Sequence, residues 1–158
     1  MEKEKQVICD VIKELVGKMG FVCEVEILEE KEKEEEVKTT IFNIKTEESS
    51  FLIGQHGINL QSLQHITRIV VRKKITTKGN FIVDVNSYRQ EKNESLGKLA
   101  QATAEQAVQE KRAIVLRPMS PYERRIIHVE LSNNEQVKTE SISEGEERKI
   151  VISPVNPF

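Results

Sequence analysis

The amino-acid sequence predicts an α+β fold in two parts: a small domain over residues 1–88, then a linking helix with a small α/β domain over residues 89–158. Apolar residues recur every three to four positions in some segments and alternate in others, which indicates a mixture of helices and strands. The length of 158 residues is enough for one ordinary domain or two very small ones. A hydrophobic content of 37% provides only a modest core.

The first half begins with a helix and a hairpin. Residues 4–19 carry an apolar stripe at helical spacing, and Gly20 follows where a left-handed helix cap is expected. Alternating apolar residues predict one strand over residues 21–27 and another over residues 37–46. We expect the all-charged segment 29–36 between them to be a solvated loop.

Two helices and a third strand follow. The chain becomes helical after Ser50, is interrupted at residues 54–57 and resumes as far as Lys74. Alternation over residues 81–85 predicts a strand, so the order is helix, strand, strand, helix, helix, strand. Three strands with helices against one face make a small domain that ends near Tyr88. The residues expected on one face of the second helix are Leu60, Leu63, Ile66, Ile69 and Val70.

The second half predicts two helices and three short strands. Residues 89–112 carry a weak, Ala-rich stripe, which predicts a long helix that connects the two parts. A short strand over residues 113–116 precedes a helix that runs to about Asn133. Ser120 can cap that helix, and Glu123 can bond back to the N–H of the cap. Two further strands, expected to form a closing hairpin, cover residues 137–142 and 148–152.

The charge is distributed unevenly along the chain. Residues 51–90 carry a net charge of +5, whereas residues 1–50 carry −6 and residues 91–158 carry −1. The basic middle segment is consistent with a local anion-binding face. A solvated helix surface explains the same charge equally well.

Several protein classes are excluded by simpler features. No apolar run is long enough to span a membrane, and the charged start is unlike a secretory or transit peptide, so we expect a cytoplasmic protein. Cys9 and Cys23 lack disulfide or zinc-site spacing and are expected to be reduced, buried thiols. His56, His65 and His128 fall on separate elements, and no carboxylate pair has catalytic or metal-ligand spacing. We therefore expect no enzymatic activity, metal or cofactor.

A glycine loop lies between the two helices that follow Ser50. It reads Leu-Ile-Gly-Gln-His-Gly-Ile-Asn-Leu over residues 52–60, with aliphatic side chains on both sides. Glycine at positions 54 and 57 leaves no Cβ to obstruct a nucleic-acid backbone. The N–H groups that open the next helix can face a phosphate.

At these residues the sequence resembles the KH domain, and the predicted element order resembles its type II arrangement. The resemblance implies a single-stranded RNA-binding module over residues 1–88, whose loop clamps the backbone of about four nucleotides while bases lie in an adjacent apolar groove. KH domains that bind RNA often carry basic residues where this loop has Gln55 and His56, so we expect weak binding. A KH-like fold used for protein pairing is the alternative. The implied contact residues are Ile53, Gly54, Gln55, His56, Gly57 and Ile58, with Arg68, Arg72, Lys73 and Lys74 as more distant positive charges.

Arg124 and His128 are one helical turn apart, so their side chains share a face. A guanidinium and an imidazole so placed can bind one phosphate, and the early turns of a capped helix favour an anion. The stretch from Arg117 to His128 resembles a second nucleic-acid-binding module named for its Arg-x-x-x-His motif. The resemblance assigns phosphate contacts to Arg124 and His128 and weaker ones to Arg125 and Arg117. Tyr122 either stacks on a base or packs at the helix start.

The combination of the two modules resembles the bacterial SpoIIIJ-associated protein family, Jag or KhpB. The resemblance implies a cytoplasmic RNA-binding protein linked to control of cell elongation, often paired with a small KH-only protein, KhpA. Self-association is the other expected pairing. Members usually begin with an additional N-terminal domain, which this sequence does not show. We expect the two modules to bind one single strand of RNA together, each adding to a weak affinity.

Overall fold

The computed structural model describes residues 2–31, 38–76 and 80–156. The chain forms two compact units, Met1–Arg89 and Gln90–Phe158. Within the described residues, each helix is too short or too polar to span a membrane.

The first unit has the predicted order of helices and strands. Strand β2 is central in its sheet and pairs antiparallel with β1 and parallel with β3. A single 3-10 turn, Gln55–Gly57, separates the second and third helices. The elements are α1 (Glu2–Lys18), β1 (Glu24–Lys31), β2 (Lys38–Lys45), α2 (Ser49–Ile53), α3 (Ile58–Lys74) and β3 (Phe81–Val85).

Helix α1 ends at the glycine that the sequence indicated. Gly20 has a φ of 89°, and its N–H donates to the carbonyl of Gly17 at 3.0 Å. The N–H of Phe21 donates to the carbonyl of Val16 at 3.2 Å, which completes a Schellman motif. The turn directs the chain from α1 toward β1, and both elements pack on one core. That core is centred on Val11, Ile12, Val16, Phe42, Ile44, Leu60, Val71, Val83 and Val85.

The prediction for the apolar face of α3 was wrong at Ile66 and Ile69, which are 48% and 44% exposed. A step of three residues turns about 60° short of a full circle, so repeating it carries Ile69 to the side opposite Leu60. The buried face instead alternates steps of three and four. Its members are Leu60, Leu63, Thr67 and Val71.

Two boundaries in the hairpin also differ from the prediction. Strand β1 begins at Glu24 rather than at residue 21, and it continues through Glu29 to Lys31, inside the segment predicted as a loop. Residues 32–37 of that loop lie outside the described residues. Cys9 is buried and Cys23 is half-buried, both as free thiols, and burial raises the pKa of each.

The second unit packs two helices on an antiparallel sheet of order β4-β6-β5. Its core lies under Ile127, Ile150 and Ile152, which are fully buried. Strand β6 extends further than predicted and includes Pro154, which pairs with Val137. The elements are α4 (Tyr88–Glu110), β4 (Ile114–Val115), α5 (Pro121–Leu131), β5 (Val137–Ile142) and β6 (Lys149–Pro154), with a 3-10 turn at Gly145–Glu147 before β6.

The predicted start of α5 is confirmed. The Ser120 hydroxyl accepts a hydrogen bond from the Glu123 N–H at 3.2 Å, and the Glu123 carboxylate accepts one from the Ser120 N–H at 2.9 Å. This reciprocal capping box, with Pro121 in the first turn, fixes the origin of the helix that carries Arg124 and His128.

Candidate nucleic-acid interface

The glycine loop turns sharply through a left-handed backbone. Gly54 has φ 70° and ψ −178°, Gly57 has φ 80° and ψ 14°, and His56 between them has φ 55°. A Cβ at Gly54 would lie 2.5 Å from Cγ of Asn59, and one at Gly57 would lie 3.0 Å from Cε1 of Tyr88. The glycines are therefore required by the fold of the loop itself, while Gln55 and His56 project as exposed side chains.

The amides of the loop fall into two groups. The N–H of Gly57 donates to the carbonyl of Gly54 at 3.3 Å, and the N–H of Ile58 donates to the carbonyl of Gln55. The expectation that the amides opening α3 face a phosphate is therefore not met at Ile58, whose N–H is already bonded. The Gln55 and His56 N–H groups donate no hydrogen bond to any residue that the structure describes.

The basic side chains of α3 have different surroundings. Arg72 and Lys73 are exposed, whereas Lys74 lies 3.5 Å from the Glu14 carboxylate. Arg68 donates to the Phe81 carbonyl at 2.8 Å and lies 5.9 Å from the centre of the Phe81 ring. Burial, and then the neighbouring arginine cations, lower the pKa of Arg68.

A groove of about 510 Å³ runs along the exposed side of α3, beginning one turn after the glycine loop. The resemblance implied an apolar groove for bases, but this one is mainly polar. Gln64 and Arg68 from its lining bond to the backbone of β3, at Val83 and Phe81 respectively. The residues lining it are Gln61, Ser62, Gln64, His65, Ile66 and Arg68.

In the second unit, Arg124 and His128 of α5 face two hydroxyl groups of β5. The His128 Nδ1 lies 2.6 Å from Oγ1 of Thr139, and its Nε2 lies 3.1 Å from Oγ of Ser141. The same Ser141 oxygen accepts a hydrogen bond from Nη1 of Arg124 at 3.3 Å, and Nε of Arg124 donates to the Met119 carbonyl at 3.3 Å. The structure therefore joins the two sequence-predicted residues through one hydroxyl.

The charge state of this site follows from its surroundings. Burial, and then the Arg124 cation, lower the pKa of His128 from its ordinary value of 6.5. Among the described residues no carboxylate forms a salt bridge with Arg124. The two N–H groups on Nη2 of Arg124 likewise have no hydrogen-bond partner there. A partly buried guanidinium with open donors beside an imidazole is suited to bind an anion.

The other sequence-predicted residues of this unit lie in different surroundings. Arg125 is exposed, and Tyr122 donates to Oδ1 of Asn93 at 2.6 Å. Arg117 lies 3.3 Å from the Glu123 carboxylate, which Lys92 also contacts at 3.0 Å. Arg117 is thus engaged by a buried carboxylate rather than by solvent.

Glu123 is the centre of that cluster, with a side chain only 4% exposed. Burial alone would raise its pKa, but the Ser120 N–H and the Lys92 and Arg117 cations outweigh burial and hold it below the ordinary value. The carboxylate therefore stays ionised at neutral pH and fixes two cations beside the start of α5.

Sequence reasoning missed Thr139, Ser141 and Lys92. Thr139 and Ser141 are two positions apart on β5, so they share one face of the strand, while Lys138 and Glu140 are exposed. That spacing was visible in the sequence, but which helix the face meets was not. Among the described residues, no group of three or more His, Cys, Asp or Glu side chains is arranged to hold a metal ion.

Comparison with known proteins gives matches over both units. Residues 94–154 match the domain family that takes its name from the Arg-x-x-x-His motif. The RNA-binding protein KhpB of Bacillus subtilis is 38% identical over 122 residues, 76% of this chain and 59% of that protein. KhpB of Clostridium symbiosum is 39% identical over 70% of this chain and 50% of that protein. KhpB of Lactiplantibacillus plantarum is 26% identical over 96% of this chain and 45% of that protein. The chain thus spans about half the length of these relatives.

Proposed function

We propose, from its relationship to the KhpB/Jag family, that this chain is a cytoplasmic RNA-binding protein that holds the sugar-phosphate backbone of a single strand and acts as a regulator rather than an enzyme. Its relatives are named as RNA-binding proteins, and residues 94–154 match the Arg-x-x-x-His domain family. The observation that carries the proposal is the pair Arg124 and His128, joined through Ser141 and without a carboxylate partner among the described residues.

The second site in this proposal is the glycine loop of a type II KH domain over residues 1–88. Three features support that assignment: the element order, the mixed sheet in which β2 pairs parallel with β3, and the left-handed glycines. The exposed Gln55 and His56 bring two unbonded N–H groups to the surface, and these are the donors we assign to a phosphate. Ile53, Gly54, Gly57 and Ile58 shape the loop, while Arg72 and Lys73 supply positive charge nearby.

In the second module, over residues 89–158, we assign direct phosphate contacts to Arg124 and His128. Arg125 is exposed one residue further along and is a weaker contact. Arg117 contributes through the cluster around Glu123. The basic residues offset the overall net charge of −2, which by itself would repel a polyanion.

The first test removes the Arg/His pair. In titrations of fluorescent oligouridine followed by anisotropy, Arg124→Ala with His128→Ala is expected to weaken binding by at least tenfold, because charge-assisted hydrogen bonds to a phosphate are lost. Lys138→Ala is the control, since it removes a cation from the exposed face of the neighbouring strand β5. Equal affinities for the double variant and the original chain would reject this site.

The second test concerns the loop. Gln55→Asp with His56→Asp places two carboxylates where a phosphate is proposed to lie, and we expect RNA affinity to fall at least tenfold without loss of folding. Asn133→Asp with Gln136→Asp adds the same charge at an exposed turn of the second unit and serves as the control. If both pairs weaken binding equally, net charge rather than the loop determines affinity.

One observation favours a second candidate function, pairing with another protein. Ile58, Ile66 and Ile69 of α3 are 61%, 48% and 44% exposed. Exposed aliphatic side chains on one helix are typical of an interaction surface, here for a KH-only partner such as KhpA or for a second copy of the chain. Sedimentation with and without oligouridine separates the candidates. A stable dimer that does not bind RNA would favour pairing over RNA binding.

A further inference from the structure

Two faces of complementary spacing meet in the second unit. Arg124 and His128 project from one side of α5 because they are four residues apart, and Thr139 and Ser141 project from one side of β5 because they are two apart. The imidazole of His128 is fixed at both nitrogens by the two hydroxyls, at 2.6 and 3.1 Å. The guanidinium of Arg124 is fixed at Nε by a carbonyl and at Nη1 by the second hydroxyl.

Ser141 differs from Thr139 because it serves both cationic groups. A hydroxyl has one proton to donate and two lone pairs that accept. Arginine can only donate, so the bond from Arg124 occupies one lone pair of Ser141. The second lone pair can accept from a protonated Nε2 of His128, which leaves the Ser141 proton for a bound anion. When His128 is neutral at Nε2, the same proton is instead directed to the imidazole.

We propose that Ser141 is a positioning residue of the Arg124–His128 site, whose hydroxyl holds the guanidinium and the imidazole on one phosphate and allows the imidazole to become charged when that phosphate binds. The proposal rests on the function proposed above and deepens it. Ser141 acts through Arg124 and His128, and it links RNA affinity to the protonation of His128.

The direction of this linkage follows from the charges around the imidazole. Without RNA, the Arg124 cation and burial disfavour a second positive charge, and the pKa of His128 is lowered. The remaining groups facing His128 are the neutral hydroxyls of β5, and each can accept from an imidazolium. A phosphate bound to Arg124 reverses the balance, because its negative charge stabilises the imidazolium. Binding therefore takes up a proton, and RNA affinity rises as the pH falls through the pKa of the bound state.

The experiment compares Ser141→Ala, Ser141→Thr and Ser143→Ala in the full chain. Ser143 is the control because its side chain is exposed in the turn after β5. RNA affinity is measured with fluorescent oligouridine at pH 5.5, 6.5 and 7.5, and the imidazole titration of His128 is followed by NMR with and without the RNA. Circular dichroism verifies that each variant is folded.

For the original chain, we expect affinity to increase about tenfold from pH 7.5 to 5.5, since a shift of one pKa unit is a factor of ten. Ser141→Ala is expected to bind about fivefold to tenfold more weakly at pH 5.5, with the RNA-bound titration of His128 displaced to lower pH. Ser141→Thr, which keeps the hydroxyl, restores both properties, and Ser143→Ala changes neither.

Three outcomes overturn separate statements. If the original chain does not bind oligouridine, the proposed function itself fails. If the chain binds but Ser141→Ala binds equally well at every pH, the proposal for Ser141 is wrong. If Ser141→Ala weakens binding while the His128 titration with RNA is unchanged, Ser141 has a structural role only and the linkage is wrong.

Discussion

The imidazole of His128 is more stable uncharged than charged in the folded protein when no anion is present. Burial and the Arg124 cation lower its pKa in the folded state, whereas in the unfolded chain it regains the ordinary value of 6.5. The unfolded state therefore binds a proton more readily, and acid favours unfolding through this residue.

This sign gives a prediction for stability. From pH 7.5 to 5.5, the free energy of unfolding of the second unit is expected to fall, because the stability present above the unfolded pKa is lost as His128 becomes protonated in the unfolded chain. Urea unfolding of the original chain and of His128→Gln at both pH values measures the effect. The variant should lose less stability on acidification than the original chain, and equal losses would show that His128 is not the group responsible.

Glu123 loses its contribution in a more acidic range. Its pKa is lowered in the folded state, so its contribution to stability is present above its ordinary value of 4.5 and is lost as pH falls through the folded value. Glu123→Gln keeps an oxygen for the Ser120 N–H but leaves Lys92 and Arg117 without their anion. We expect a loss of about 1–3 kcal/mol at pH 7 in urea unfolding. Glu140→Gln, at an exposed position of β5, is the control and should change stability little.

At the scale of elements, the glycine loop depends on backbone conformations that only glycine adopts at low cost. Gly54 occupies a region of φ and ψ that is almost confined to glycine, and a Cβ there would overlap Asn59. Gly57 is in the ordinary left-handed region, where a Cβ would be close to Tyr88. The two positions therefore differ in how severely a side chain would strain the loop.

We predict that Gly54→Ala destabilises the first unit by about 2–4 kcal/mol and Gly57→Ala by about 1–2 kcal/mol. Gly17→Ala is the matched control, because Gly17 lies within α1 and a methyl group there would meet nothing within 4 Å. Alanine there should stabilise by about 0.5 kcal/mol or more. Urea midpoints measure all three, and a Gly57→Ala effect larger than that of Gly54→Ala would contradict the assignment.

Local signals in the sequence were sufficient for most elements. Helix α1, its Gly20 cap and the capping box of α5 were predicted because each depends on residues within one or two turns. The face of α3 was mispredicted because a list of isoleucines three apart does not by itself reveal which side meets the sheet. Ile66 and Ile69 are apolar residues on an exposed face, which pattern reasoning assigns to the core.

The candidate site was only half predictable for the same reason. Arg124 and His128 were indicated by spacing on one helix, and the loop residues by a contiguous motif. Thr139 and Ser141 come from another element, and their approach to α5 depends on packing of the second unit. The engagement of Arg117 by Glu123 required the same tertiary contact, so the sequence alone ranked Arg117 as a phosphate ligand.

At the scale of the whole molecule, the proposed function places two weak sites on one chain. Their combination on one RNA strand multiplies affinity through effective concentration, provided that the strand is long enough to reach both. A short RNA can occupy only one site at a time. The loss caused by inactivating one site should therefore depend on RNA length.

We predict this dependence for the loop variant Gln55→Asp with His56→Asp and for Arg124→Ala with His128→Ala. On oligouridine of about 5 nucleotides, each pair should cost only about twofold, since the other site remains. On oligouridine of about 25 nucleotides, each should cost about a hundredfold, because the second attachment is lost. Equal losses on short and long RNA would contradict binding of one strand by both sites.

The most direct measurement is the salt dependence of oligouridine binding by the full chain. If Arg124, His128 and the loop amides hold phosphates, the logarithm of affinity falls linearly with the logarithm of salt concentration, by roughly 0.7 for each phosphate neutralised. The variant Arg124→Ala with His128→Ala should have a slope shallower by about that amount. A slope near zero for the original chain, or one that the variant leaves unchanged, would contradict phosphate recognition by this site.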